Sequence, residues 1–148
     1  MNIDMNEDDY GYRYPEGITT ADAAFEAVAP DLNRLFSYCA EAMFAIMADP
    51  DSISQTERHD INLESESTEE LLFLFLSELI YLKDTEGVIF SRFEVSVTGE
   101  FKLKAAVYGQ KISELASGPD IDIKAVTYHR FRIEQVEAGF RATVVVDL

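Results

Sequence analysis

The sequence predicts an α+β domain in which two helices pack on a largely antiparallel β-sheet. Three observations carry that expectation. Apolar residues recur at helical spacing in two early stretches, a capping motif precedes the second, and beyond Gly87 the apolar period changes to two. Helices first and antiparallel strands after them suit a sheet that buries one face on the helices.

The elements follow in order. Phe25, Ala27 and Ala29 alternate with Glu26 and Val28 as a short strand, which Pro30 ends. Asp31 is placed to cap a first helix whose stripe is Leu32, Leu35, Phe36, Cys39, Met43, Ile46 and Met47. Asp49-Pro50-Asp51-Ser52 breaks that helix, because the proline ring disfavours helical geometry in the residue before it. Arg58 to Leu63 reads as a strand with His59, Ile61 and Leu63 on one face. Ser67-Thr68-Glu69-Glu70 reads as a capping box, the Ser67 hydroxyl taking one free amide while Glu70 reaches back to another.

The second helix runs to about Lys83. Leu71, Leu72, Phe73, Leu74, Phe75, Leu76, Leu79 and Ile80 cover nearly its whole circumference, which places it between other layers. Gly87 suits a left-handed C-cap. Phe93, Val95 and Val97, then Phe101, Leu103, Ala105 and Val107, alternate with polar residues and predict a hairpin about Thr98-Gly99-Glu100. Gly109 to Pro119 reads as a connection. Two final strands, about Ile121 to Val136 and Phe140 to Val146, meet in a second hairpin at Glu137-Ala138-Gly139.

A chain of 148 residues fits one domain, expected over residues 15–148 after an acidic, mobile leader at 1–14 and a turn marked by Pro15 and Gly17. The ten Phe and seven Tyr supply more apolar material than a disordered chain would carry. The leader has no basic and apolar signal-peptide pattern, and the apolar run Leu71 to Leu82 is interrupted by Ser77 and Glu78 and falls short of the ~20 residues a membrane span needs. The single cysteine, Cys39, cannot form an internal disulfide and lies on the apolar stripe of the first helix, where it reads as a buried core thiol. A cytoplasmic protein is expected.

The formal net charge of −16 repels phosphate backbones, so direct nucleic-acid binding is not expected. It favours cations and basic protein surfaces as partners, against the competing reading of an acidic surface kept for solubility. Neither a glycine-rich phosphate loop nor a Gly-x-Ser-x-Gly elbow is present, and no His or Cys pair has zinc-ligand spacing. His59 reads as structural or surface. His129 shares parity with Ala125, Phe131 and Ile133 and so reads first as a neutral imidazole within the core.

Two carboxylates stand out by position. Asp22 falls just before the first strand and Asp147 ends the last one. If those strands are antiparallel neighbours, both carboxylates and the carboxyl group of Leu148 come together, a self-repelling set that suits a hard cation such as Ca²⁺ or Mg²⁺.

Thr20-Ala21-Asp22, the helix Leu35 to Met47, Asp84-Thr85-Glu86-Gly87, Ala106-Val107-Tyr108-Gly109, Lys124-Ala125-Val126-Thr127-Tyr128-His129 and Val146-Asp147-Leu148 together resemble the archease family in order and spacing, from about Thr19 to Leu148. The resemblance implies a cytoplasmic, non-enzymatic cofactor protein of the RtcB-type RNA-splicing ligase, which joins RNA ends bearing a 2′,3′-cyclic phosphate or 3′-phosphate to a 5′-hydroxyl. Such a protein promotes guanylylation of the ligase histidine and restores turnover. The resemblance also implies a divalent metal ion, Ca²⁺ with Mg²⁺ or Mn²⁺ as alternatives, held by Asp22, Asp147 and Leu148. Where the family carries His-Thr-Ala-Asp-Ile-Gly, this chain reads Thr19-Thr20-Ala21-Asp22-Ala23-Ala24, so a histidine and a glycine are replaced. Two other classes compete with that reading: a metal-dependent hydrolase using Asp22, Asp147 and His129, and a general chaperone-like acidic binder.

Overall fold

Asp31 starts the first helix by accepting the Arg34 N–H at 2.8 Å, and α1 then spans Leu32–Met47. Its apolar stripe is buried from Leu35 to Met47, Cys39 included, with Leu32 half-buried at the start. In the computed structural model, which describes residues 10–16, 19, 21–119 and 121–148, a short 3-10 turn over Pro50–Ser52 follows where the proline breaks the helix. The second helix, α2, spans Thr68–Glu86 and ends on Gly87, whose φ of 65° is the left-handed cap expected of it.

Only half of the capping box forms. Ser67 Oγ accepts the Glu70 N–H at 3.1 Å, but the Ser67 N–H donates to Ser65 Oγ at 3.2 Å.

The strands divide between two antiparallel sheets. With β1 at Gly11–Arg13, β2 at Asp22–Ala29, β3 at Glu57–Glu64, β4 at Val88–Val97, β5 at Lys102–Lys111, β6 at Ala125–Val136 and β7 at Gly139–Asp147, the orders are β1-β2-β7-β6 and β3-β5-β4. Since β3 and β4 are each antiparallel to β5, they are parallel to one another, and α2 is the crossover that joins them. Both helices touch strands of both sheets, so the core lies where the helices meet the two inner faces. Phe36 and Phe75 stack across the α1–α2 contact with ring centroids 6.2 Å apart.

Helix side chains also close two sheet edges that would otherwise offer free backbone groups. Asn33 Oδ1 accepts the Val97 N–H at 2.7 Å, Ser37 Oγ donates to the Phe93 carbonyl at 3.1 Å, and Glu69 Oε2 accepts the Ile133 N–H at 2.8 Å.

Several boundaries differ from expectation. The folded domain begins before residue 15, because Gly11–Arg13 pairs with β2. The Tyr10 hydroxyl donates to the Ala138 carbonyl at 2.7 Å and the Tyr14 hydroxyl to that of Ala42 at 2.6 Å. Aromatic residues inside an acidic stretch supplied this docking. Residues 1–9, Gly17 of the expected turn and Thr20 lie outside the described residues.

Gly109 does not end β5. The strand continues to Lys111, and a Cβ at Gly109 would stand 2.0 Å from the Ile89 carbonyl oxygen, so this glycine permits a close approach of strands and is not a breaker. The first hairpin forms where expected, yet its left-handed residue is Phe101 at φ 57° and not Gly99. The strand expected from Ile121 starts only at Ala125, because Asp122 and Ile123 are drawn to Lys83. No helix among the described residues is long and apolar enough to cross a membrane.

Candidate functional site

The pairing of β2 with β7 decides where the two singled-out aspartates go. Asp22, the first residue of β2, is the register partner of Asp147, the last of β7. Directly opposed residues share a face with Cβ atoms about 5 Å apart, so two carboxylates stand side by side at the exposed end of the sheet. The ladder continues one step further on both sides, since the Leu148 N–H donates to the Ala21 carbonyl at 3.0 Å and the Lys124 N–H to that of Asp147 at 2.9 Å. Leu148 is thus fixed beside the pair, with its side chain half-buried against the core.

The two replaced family positions have separate consequences. Thr19 Oγ1 accepts the N–H of Ala21 at 3.2 Å and of Asp22 at 3.0 Å, and its single proton is shared between the Asp22 carbonyl oxygen at 2.9 Å and Asp22 Oδ1 at 3.1 Å, so the hydroxyl fixes the turn into β2 and stands beside the Asp22 carboxylate. Ala24 sits in regular strand opposite Val145, and the only non-glycine residues of positive φ among those described are Phe101 and Arg130. This backbone makes no demand that only a glycine could meet there.

Around the pair the charges are mixed. Arg130 grips Glu16 with both terminal nitrogens, at 3.1 and 3.3 Å, which holds the Glu16 carboxyl below the usual carboxylate range. Asp22 also helps to raise the Arg130 guanidinium above its ordinary value, behind the larger contribution of Glu16, so the arginine lies within electrostatic reach of the site.

Linked to the pair through Lys124 is Lys83, which the sequence presents only as a helix end. Lys83 is 2% exposed, and its Nζ lies 2.5 Å from Asp122 Oδ1, 2.8 Å from Asp84 Oδ1 and 2.8 Å from the Ile123 carbonyl oxygen. It ties the end of α2 to the segment whose next residue, Lys124, bonds Asp147. The signal was present: Lys83 falls three and four residues after Ile80 and Leu79, on the apolar stripe, where a cation must find partners.

His129 is not in the core. Between the pairs Thr127↔Val145 and Arg132↔Thr143, the four residues Tyr128 to Phe131 stand where β7 supplies only Val144, and Arg130 takes a φ of 57°. This bulge cancels the period of two on which the core placement rested, and His129 is exposed. His59 is half-buried with its ring edge-on to Phe90 at 5.6 Å, and burial pushes the Cys39 thiol up, as a core cysteine requires.

Among the described residues no three His, Cys, Asp or Glu side chains gather into a metal-binding group. The register brings together two aspartate carboxylates beside the backbone carbonyls of the strand ends, oxygen groups of the chemical kind that a hard divalent cation takes. A separate cavity of about 230 Å³ is lined by residues including Glu41, Phe44, Ser91 and Phe93, and neither aspartate nor His129 contributes to it.

Residues 12–148 match the family model described as the Archease protein family (MTH1598/TM1083). Protein archease of Pyrococcus abyssi is 33% identical over 133 residues, covering 87% of this chain and 94% of that one. The solution structure of Methanobacterium thermoautotrophicum protein 1598 superposes with a TM-score of 0.77 at 31% identity, covering 95% of this chain and 99% of that one. The crystal structure of an archease, possible chaperone, from Thermotoga maritima has a TM-score of 0.63 at 24% identity, over 92% of this chain and 97% of that one, a likeness of fold.

Proposed function

Because this chain belongs to the archease protein family, we propose that it is a metal-binding cofactor protein of an RtcB-type RNA-splicing ligase, promoting ligase guanylylation and turnover and catalysing no reaction itself. The observation that carries the reading is the register pair Asp22↔Asp147. Two like charges opposed on adjacent strands destabilise one another by roughly 0.2–1 kcal/mol, a cost that a bound cation removes. Asp22, Asp147 and the Leu148 carboxyl group would hold a divalent ion, Ca²⁺ before Mg²⁺ or Mn²⁺, since oxygen donors at strand ends that impose no strict octahedral geometry suit the larger ion, with water completing its shell. The ion then supplies a fixed positive charge within an acidic surface. This end of the domain is presented to a basic face of the ligase, and the net charge of −16 speeds the encounter. The setting is cytoplasmic.

The bulge removes the strand parity on which the inward placement of His129 rested, so no observation favours the hydrolase alternative. The test is a calorimetric titration of Ca²⁺ into the wild type and Asp147→Ala, beside a guanylylation assay with the cognate ligase. Joint loss of ion binding and stimulation is expected. Normal ion binding by the variant would put the site elsewhere, and full stimulation without the ion would separate the ion from the activity.

A further inference from the structure

Tyr128 is the large hydrophobic residue with most exposure among those described, at 74%. It is nevertheless held firmly. Its ring lies parallel to that of Phe73 with centroids 3.9 Å apart and an interplanar angle of 5°, and Phe131 supports Phe73 edge-on at 5.3 Å. One face of Tyr128 is therefore spent on the stack while the other is left to solvent. An aromatic ring fixed before it meets anything loses little conformational entropy on binding, which is the property of an interface anchor.

The neighbourhood says what kind of partner fits. Lys124, Arg130 and Arg132 fall between Ile123 and Ile133 with no acidic residue among them in a chain of net charge −16, and the two arginines are held at the surface by exposed ion pairs, Arg130 with Glu16 at 3.1 Å and Arg132 with Glu134 at 2.7 Å. Ala125, three residues before Tyr128, pairs with Asp147, so the ring stands about 10 Å along β6 from the carboxylate pair. We propose that Tyr128 is the anchor by which a protein partner is gripped beside that pair, entering an apolar socket that carries a carboxylate on its rim. The socket takes the open ring face, and the carboxylate meets Lys124 and exchanges with Glu16 or Glu134 at the two arginines, whose exposed ion pairs are weak enough to be replaced. A polyanion such as RNA could also offer a negative group and a flat base, but the whole chain repels it. A protein that is basic overall and acidic at one spot meets both halves of this surface. This rests on the reading of the chain as a protein activator and names the residue that fixes its orientation.

The experiment measures binding of the purified cognate RtcB-type ligase to the full-length wild type, Tyr128→Ala, Tyr128→Phe and Asp147→Ala by biolayer interferometry, with a single-stranded RNA oligonucleotide as a parallel probe. Tyr128→Ala should weaken ligase binding about 30-fold or more, while its melting temperature and Ca²⁺ affinity stay at wild-type values. Tyr128→Phe keeps the stacked ring and should remain within about threefold. Ligase binding by Tyr128→Ala equal to wild type overturns the proposal and leaves the activator reading standing. Failure of the wild type to bind the ligase overturns both. RNA binding that depends on Tyr128, or self-association that it abolishes, would make the ring a platform for RNA or for a second copy and would overturn the protein-partner assignment.

Discussion

The buried Lys83 and the exposed Asp122 are joined by a contact of 2.5 Å between Nζ and Oδ1, although they lie 39 residues apart in the chain. Through that contact and the Ile123 carbonyl, the end of α2 fixes the segment that enters β6. Lys124 follows at once and bonds Asp147, so the buried ammonium sets the position of the last strand's end.

Lys83→Met should cost about 1–2 kcal/mol, the price of an unpaired buried carbonyl. A full buried ion-pair loss is not expected, because Asp84 and Asp122 are 55% and 61% exposed and can rehydrate. Urea denaturation gives the stability, and hydrogen exchange at the Lys124 amide reports the positioning. An unchanged exchange rate would show that the tether does not hold this segment.

Gly139 fills a place that no side chain can share. It has a φ of 142°, and a Cβ built there would stand 2.2 Å from the Ala29 carbonyl oxygen and 2.8 Å from the Pro30 Cα. Both obstacles are backbone, so neither can turn aside. Gly139→Ala should destabilise by about 2–4 kcal/mol through strain at the turn and separation of β7 from the end of β2. Thermal melting within a degree of wild type would refute the close approach.

The elements with strong local signals were legible: the Asp31 cap, the stripe of α1, the Gly87 cap and both hairpins all stand where the sequence places them. The opposition of Asp22 to Asp147 follows from strand order alone, once the first and last long strands are taken as neighbours. What was not legible depended on contacts distant in sequence. His129 was misplaced because a bulge breaks parity without any Gly or Pro to mark it. Gly109 looked like a stop because composition cannot distinguish a turn glycine from one that admits a neighbouring strand. The division into two sheets is likewise invisible in periodicity, which says that a residue faces inward and not which sheet it belongs to.

Glu41 gives stability a measurable pH dependence. It lines the apolar cavity beside Phe44 and Phe93, and burial raises its carboxyl above the ordinary 4.5. The folded state then holds a proton that the unfolded state has already released, so this contribution is fully present below 4.5 and is lost as pH rises through the raised folded value. Glu41→Gln removes the ionisation. It should melt a few degrees above wild type at pH 7 and converge with it near pH 4. Parallel melting curves across that range would show that burial does not govern the group.

The opposition of Asp22 and Asp147 predicts a reversal that few other arrangements would give. Without divalent ions the two carboxylates repel across the strand pair, with the Thr19 hydroxyl and the distant charge of Arg130 as partial relief for Asp22. Asp147→Asn keeps the shape and removes one charge, so the variant should be more stable than wild type by up to about 1 kcal/mol, and by more at low ionic strength than at high. Calcium should invert the order. An ion that binds only the folded wild type adds about 2.7 kcal/mol at a hundredfold excess over its dissociation constant, while a variant lacking a ligand gains much less. Asp22→Asn should behave alike, and the double variant should lose no more of the calcium effect than either single one, because residues that hold one ion act as a unit. Melting curves at two salt concentrations, with EDTA and with calcium, contain the whole comparison. A variant less stable than wild type in EDTA would mean that the carboxylates are hydrogen-bonding partners and not a repelling pair. Equal calcium stabilisation of wild type and both variants would remove Asp22 and Asp147 from the ion's ligands.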